Sequence, residues 1–349
     1  MKKSRHNPLT SLTSLALAII MVAALASGCT QPAVAAASEA AATSAAVKTD
    51  VSYESTSELS STSATSAITV TDMADREINM DAPASKVVAL TASDCEILYA
   101  IGAGNTLVGR GEYCDFPAEV SAIPSVQSGS ETNIEQIIAL KPQVVIMNTM
   151  SQTIEQETAL ENAGITVVVN DAKDIAGVYT SIEIIGAITG KDREAANVVS
   201  QMKAAFAGIT DKSSDKGEKT VYFEVSPLEY GLWTAGSGTF MNELAGMLGL
   251  TNIFADVPGW AEVSQEQVIE RDPDYIVTIT MYSGEGTNPV DEIIGRDGWQ
   301  DMKAVKNKAI LNADSNEISR PGPRLADALD ALYAFVYESK SADTAKTGN

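Results

Sequence analysis

The sequence predicts an α/β protein of two Rossmann-like lobes with parallel sheets, joined by one long helix, with a ligand cleft between them. Three observations lead there. From residue 68 onward, short apolar runs of strand character alternate with amphipathic runs of helical period, the pattern of a parallel sheet covered on both faces. That portion is about 270 residues long, too much for one typical core and suited to two. Finally, TNIEQIIALKPQVVIM at 132–147 returns as VSQEQVIERDPDYIVT at 263–278, without a gap and at an offset of 131 residues. Glu135 falls on Glu266, Gln136 on Gln267, Ile138 on Ile269 and Pro142 on Pro273. Such an offset is too long for a solenoid repeat. It indicates two lobes built alike, each presenting a glutamate at the same place.

The ends of the chain are read apart from the fold. Lys2, Lys3 and Arg5 precede an apolar run, Leu15 to Leu25, and small residues then lead to Cys29. This is the layout of a secretory signal over 1–28. Its end resembles a bacterial lipobox, which makes Cys29 the expected lipidated first residue; cleavage near Ala33-Val34-Ala35, giving a soluble secreted or periplasmic protein, is the alternative. Residues 29–67 are mostly Ala, Ser and Thr after the cysteine, 26 of 38, with scattered acids and few large apolar side chains, a composition that cannot stabilise a core and fits a disordered tether. The expected division continues with an N-terminal lobe over 68–191, a connecting helix over 192–211, a C-terminal lobe over 212–339 and a disordered tail over 340–349.

The elements follow in order. Ile68 to Ile78 reads as a hairpin turning near Asp75-Arg76, and Lys86 to Leu90 as a buried strand. Ser93 is placed to cap a helix from Asp94 to Ile101 that Gly102 ends. A strand begins at Leu107, and the loop Gly111-Glu112-Tyr113-Cys114-Asp115-Phe116-Pro117 follows it. Next come a helix from Ile134, a strand from Val144 to Met147, a helix from Ile154 to Ala163 and a strand from Ile165 to Val169. Ile175, Ile182 and Ile185 mark a helix that Gly190 terminates. Asp192 is placed to cap the next, whose apolar face is Ala195, Val199, Met202 and Phe206. This helix, to about Thr210, is the expected connection between lobes. The second lobe repeats the scheme: strand Thr220 to Val225, helix Phe240 to Leu248, the Glu266 segment, strand Tyr275 to Ile279 and strand Ala309 to Leu311. Ser319-Arg320-Pro321-Gly322-Pro323-Arg324 then opens a final helix to about Tyr337.

Composition excludes several functions. The formal charge is −22, and removing the signal takes away three cations and no acids, giving −25. Nucleic acid and anionic lipid are therefore poor partners. The only histidine, His6, lies in the signal, so the mature chain has no His for a nucleophilic triad or for zinc or haem ligation. Cys95 and Cys114 either form one disulfide or stand as two buried thiols.

In a parallel sheet, ligands meet the loops beyond the carboxyl ends of strands. Those loops hold Tyr113, Phe116, Tyr230, Trp233, Trp260 and Tyr282, in a chain only 5% aromatic. Flat apolar walls with polar tips suit a large ligand with rings or chelating arms, although Phe116 and Trp233 also fit a lobe core. Arg320 and Arg324 flank a Pro-Gly-Pro turn at a helix start, where a cation opposes the helix dipole. They look placed to hold an anion bidentately; pairing with Glu317 or Asp327 is the other reading. Glu135 and Glu266 both lie in first helical turns, where a carboxylate is favourable, and their matched positions suit two cations on a two-fold partner.

On these residues, above all Asn133-Ile134-Glu135 through Pro142 and Trp260 through Pro273, the chain over 69–338 resembles the substrate-binding proteins of ATP-driven importers of iron chelates, haem and vitamin B12. The resemblance implies that Glu135 and Glu266 dock onto arginines of a permease dimer working with its ATPase, and that one helix holds two lobes with limited closure. It implies a transport component and no enzyme, with no resident cofactor, acting as a monomer anchored outside the cytoplasm. Tyr113-Cys114-Asp115-Phe116-Pro117 is similar to the Tyr-x-Asp-Tyr-Pro loop of the B12 binders, but Ser128-Gly129-Ser130 stands where those have a second tryptophan. The position of a haem-ligating tyrosine is taken by Phe116. The expected ligand is a ferric siderophore, then cobalamin, then haem, held by Tyr113, Trp233, Trp260, Tyr282, Arg320 and Arg324, with no metal ligated directly by the chain. Readings from other classes are a lipid-anchored enzyme using Cys114 and Asp115, and a structural surface lipoprotein.

Overall fold

Two parallel sheets carry the fold in the computed structural model, which describes residues 67–338 apart from 215, 216, 283 and 285. The expected signal, tether, Cys29 and tail lie outside the described residues. Among those described, no helix is long and apolar enough to cross a membrane.

The first sheet follows a hairpin, β1 (Ile68–Thr71) and β2 (Glu77–Met80), which is antiparallel as expected. Asp72 fixes this hairpin, accepting from the amides of Ala74 and Arg76 in the turn and of Val169 in the sheet, each at 3.0 Å. Then come β3 (Val87–Ala89), α1 (Ala92–Ala100), β4 (Leu107–Gly111), β5 (Ser125–Val126), α2 (Ile134–Ala139), β6 (Val144–Met147), α3 (Ile154–Asn162) and β7 (Thr166–Val169). Two helices follow, α4 (Ile175–Thr189) and α5 (Asp192–Ser213).

The later half contains β8 (Lys219–Glu224), β9 (Leu232–Ala235), α6 (Phe240–Met247), β10 (Leu250–Asn252), β11 (Trp260–Val263), α7 (Gln265–Arg271) and β12 (Tyr275–Thr278). It closes with α8 (Pro289–Ile294), α9 (Lys303–Lys306), β13 (Ile310–Asn312), α10 (Ser315–Ile318) and α11 (Leu325–Tyr333). Tyr275, Ile276 and Val277 of β12 are buried, as a strand covered on both faces requires.

The two sheets share one plan. Strand order is β5-β4-β3-β6-β7 in the first and β10-β8-β12-β13 in the second, all parallel. Matching β3 to β8 and β6 to β12 makes the orders equivalent, with β5 an addition. The sequence repeat extends to the backbone. Lys141 and Asp272, at the same offset, both hold positive φ, 51° and 41°, just before the matched prolines.

Alternation along each strand separates the core into layers. Val88, Val145 and Val167 face α2 and α3 on one side of the first sheet. Tyr222 and Ile276 face Phe254 and Trp299 on the far side of the second. The other faces meet in common: Val87, Ile146, Val221 and Phe223 belong to one continuous apolar core with Phe206 and Ile209 of α5 and Leu329 and Leu332 of α11. Helix α5 packs on α4 on one side and on α6 and α11 on the other.

Local details differ from expectation. Thr91, not Ser93, caps α1, accepting from the Asp94 amide at 3.2 Å. Asp192 is the first residue of α5 rather than its cap, which is Lys191 with no side-chain bond, and the helix runs to Ser213. The short antiparallel pair β9–β11 was not legible, because each strand is only four residues long.

Candidate functional site

The loops beyond the carboxyl ends of the strands meet across a cleft of about 580 Å³. One wall comes from the first sheet: Thr91 after β3, Asn148 after β6, and Asn170 through Lys173 after β7. The facing wall comes from the second: Val225 and Ser226 after β8, Trp233, Phe240, Trp260, and Ser319 through Pro321.

The ribbon β9–β11 sets the tryptophans. Trp260 pairs with Ala235 and Trp233 with Glu262. Cross-strand partners share a face, as do residues two apart on one strand. Trp233 and Trp260 therefore stand on the same face as diagonal neighbours. Trp260 is half-buried against Phe240, ring centroids 5.6 Å apart and edge-on, while Trp233 keeps 40% of its surface exposed. Neither Trp233 nor Phe116 is lobe core; Phe116 is also exposed.

The other aromatic expectations divide. Tyr113 is exposed and lines a side pocket of about 200 Å³ that shares Thr91, Ala92 and Asn148 with the cleft. Tyr282 is not on the cleft. It borders a separate open pocket with Asn312 and Asp314 at the ends of β12 and β13.

The arginines are corrected most. Arg320 and Arg324 face an anion as expected, but it belongs to the protein. Arg324 donates through Nε to Glu96 Oε2 at 2.9 Å and through Nη2 to Oε1 at 2.7 Å. Arg320 donates through Nη1 to Glu96 Oε1 at 2.8 Å and Asp115 Oδ1 at 2.6 Å, and through Nη2 to the Tyr113 carbonyl at 3.3 Å. Arg324 also lies 4.2 Å from the centroid of Phe116. Of the partners foreseen, only Glu317 comes near, at 4.0 Å. Arg320 lines the cleft and Arg324 does not. Burial opposes the Arg320 charge, yet its bonds to Asp115 and Glu96 more than offset this, and its pKa is raised. The Arg320 hydrogen bond holds the Asp115 carboxyl below the usual carboxylate range.

Glu96 was missed. It lies on α1 within Asp94-Cys95-Glu96-Ile97-Leu98, every residue of which is buried. The signal was present: Asp94 and Glu96, two positions apart, lie on opposite sides of a short apolar helix and cannot both face outward. Asp94 is also buried; its carboxylate accepts from Thr91 Oγ1 at 2.6 Å and Asn170 Nδ2 at 2.5 Å, and desolvation pushes its pKa up to about 6. Cys95 and Cys114 are both buried and unbonded to each other. The Cys114 thiol beside it, and then burial, push the Cys95 thiol up.

Glu135 and Glu266 stand exposed in the first turns of α2 and α7. Asn133 caps α2, accepting from the Gln136 amide at 3.0 Å; Ser264 and Gln267 form a reciprocal capping box on α7. The two glutamates thus occupy equivalent places on equivalent helices.

Residues 87–317 match the periplasmic binding protein family model. The chain belongs to that family. It is 34% identical over 272 residues, 76% of this chain and 84% of the other, to the uncharacterized ABC transporter substrate-binding lipoprotein YvrC of Bacillus subtilis. It is 25% identical over 257 residues, 73% of this chain and 90% of the other, to a vitamin B12-binding protein of Vibrio cholerae. Among solved structures, an ABC-type Fe3+-hydroxamate transport system from Saccharomonospora viridis superposes with a TM-score of 0.65 at 24% identity, covering 77% of this chain and 99% of that one. This chain is therefore a substrate-binding component of an ABC transporter. Proteins of this class are transport components that work outside the cytoplasm with a permease and an ATPase.

Proposed function

We propose that this protein captures a ring-bearing metal chelate, a ferric siderophore or cobalamin, in the cleft and delivers it to a membrane permease. The observation that carries the reading is the pair of indoles, Trp233 and Trp260, on one face of a ribbon opposite the polar strand ends of the other sheet. Rings stack on such a wall, while Asn148 on the facing wall offers its side-chain amide to the ligand's arms. Tyr113 would close the side pocket over one arm. Arg320 faces the cleft, and Arg324 acts by holding Glu96. Cobalamin has specific support in the vitamin B12-binding relatives.

Glu135 and Glu266 are proposed as the permease contacts, the chain acting as a monomer. Cys29 is proposed as the lipid-bearing residue; mass spectrometry of the membrane fraction should find it modified, and an N-terminus beginning beyond it would refute the anchor. Ligand capture is tested by thermal shift against cobalamin, haem and ferric siderophores. A true ligand at 100 times its Kd adds about 2.7 kcal/mol. If none of the three classes raises Tm, the reading fails.

A further inference from the structure

We infer that Asp115 is a specificity residue: it sits on Arg320 as a built-in anion, so that the cleft selects chelates without net negative charge. The inference rests on the ligand reading above and narrows it. Both cations lining the cleft have acid partners. Lys173 Nζ lies 3.8 Å from Asp171 Oδ2, and Arg320 lies between Glu96 and Asp115. The arginine cluster sets two guanidiniums against Glu96 and Asp115, with Glu317 a further carboxylate 4.0 Å from Arg324, so its positive charge is already matched before any ligand arrives.

The two carboxylates are not equivalent. The Glu96 side chain is 2% exposed and receives three donors from two arginines. It is a fixed part of the junction between the sheets. The Asp115 side chain is 59% exposed and takes one 2.6 Å bond from Arg320 Nη1. Its position is enforced from below. The loop that carries it begins at Gly111, where a Cβ would lie 2.3 Å from the Leu90 carbonyl oxygen, so the chain can hug β3 only without a side chain there. Buried Cys114 then anchors the loop beside Cys95 of α1. The loop thus presents Asp115 where an acidic arm of a ligand would reach Arg320. An anionic ligand must either displace Asp115 or lie against it, and like charges so placed oppose binding. An uncharged ligand meets neither cost.

The test compares chelates of different charge by quenching of Trp233 and Trp260 fluorescence, using the full mature chain. Cyanocobalamin and a ferric trihydroxamate are the probes without net charge; a ferric tricatecholate is the triply anionic probe. Wild type should hold at least one uncharged probe about 100-fold more tightly than the tricatecholate. Asp115→Asn, checked for retained Tm, should tighten the tricatecholate about 10-fold and leave the uncharged probe within about 2-fold. A wild-type preference for the tricatecholate, or equal shifts for both kinds of probe in Asp115→Asn, overturns the inference while leaving chelate capture standing. Absence of quenching by every probe, in both proteins, overturns chelate capture and the inference with it.

Discussion

Glu96 is the residue on which the junction between the two sheets depends. It is buried, and both of its oxygens are taken by guanidiniums from the far end of the chain. Removing one partner of such a buried ionic group leaves the others uncompensated, at a cost of about 3–5 kcal/mol. Glu96→Gln should therefore lower the stability measured by urea unfolding by that order; a loss below about 1 kcal/mol would mean the cluster is wet and weak. Asp94, two residues earlier, behaves differently. Its pKa is raised from 3.8 to about 6 in the folded protein, so the native state binds the proton more tightly than the unfolded chain. Stability then falls as pH rises from about 4 to about 6, by on the order of 3 kcal/mol. With Asp94 protonated, the Asn170 amide can turn over, and its Oδ1, otherwise without a partner, accepts from the acid. Asp94→Asn should flatten this part of the pH profile, and an unchanged slope would contradict the assignment. Asp115 has the opposite sign: its lowered pKa contributes stability above the ordinary carboxylate range that is lost as pH falls through the folded value.

At the scale of elements, α5 matters most. Its 22 residues span about 33 Å, and its buried stripe of Ala195, Val199, Met202, Phe206 and Ile209 packs into the core common to both sheets. Phe206→Ala should cost about 3–5 kcal/mol. Because that core is continuous, the loss should appear as a lower Tm of one calorimetric transition, with no separate melting of one half. Two resolved transitions would show that the halves are energetically independent. The ribbon β9–β11 illustrates the other limit. It is too short for its period to be read, yet it alone aligns Trp233 with Trp260.

At the scale of the whole molecule, the proposed docking would account for the repeat, which lies in two surface helices that each bury a single side chain fully, Ile137 in α2 and Val268 in α7. Glu135 and Glu266 are exposed, and a single exposed ion pair with a permease arginine is worth about 0–1 kcal/mol. Two on one rigid body reinforce each other, since the second forms intramolecularly. The shared core and α5 supply that rigidity. Glu135→Ala or Glu266→Ala alone should reduce uptake into reconstituted vesicles, and the double variant should nearly abolish it, while calorimetry shows ligand affinity unchanged. Full transport by the double variant, or a parallel loss of ligand binding, would reduce both residues to helix-start acids.

Much of this was determined by local sequence. Strands from Val144 to Met147 and around Tyr275, the start of α2, the end of α4 at Gly190 and the paired glutamates follow from periodicity, caps and turn residues acting over a few positions. The resemblance of the repeated segments to a transport family added the class of partner. Only the tertiary structure decided which charges meet. Arg320 and Arg324 lie more than 200 residues from Glu96 and Asp115 in sequence, so no local rule joins them. The arginines' aptitude for an anion was visible in their chemistry. That the anion is the protein's own was not, because Coulomb interaction and desolvation depend on distance and burial in the folded chain.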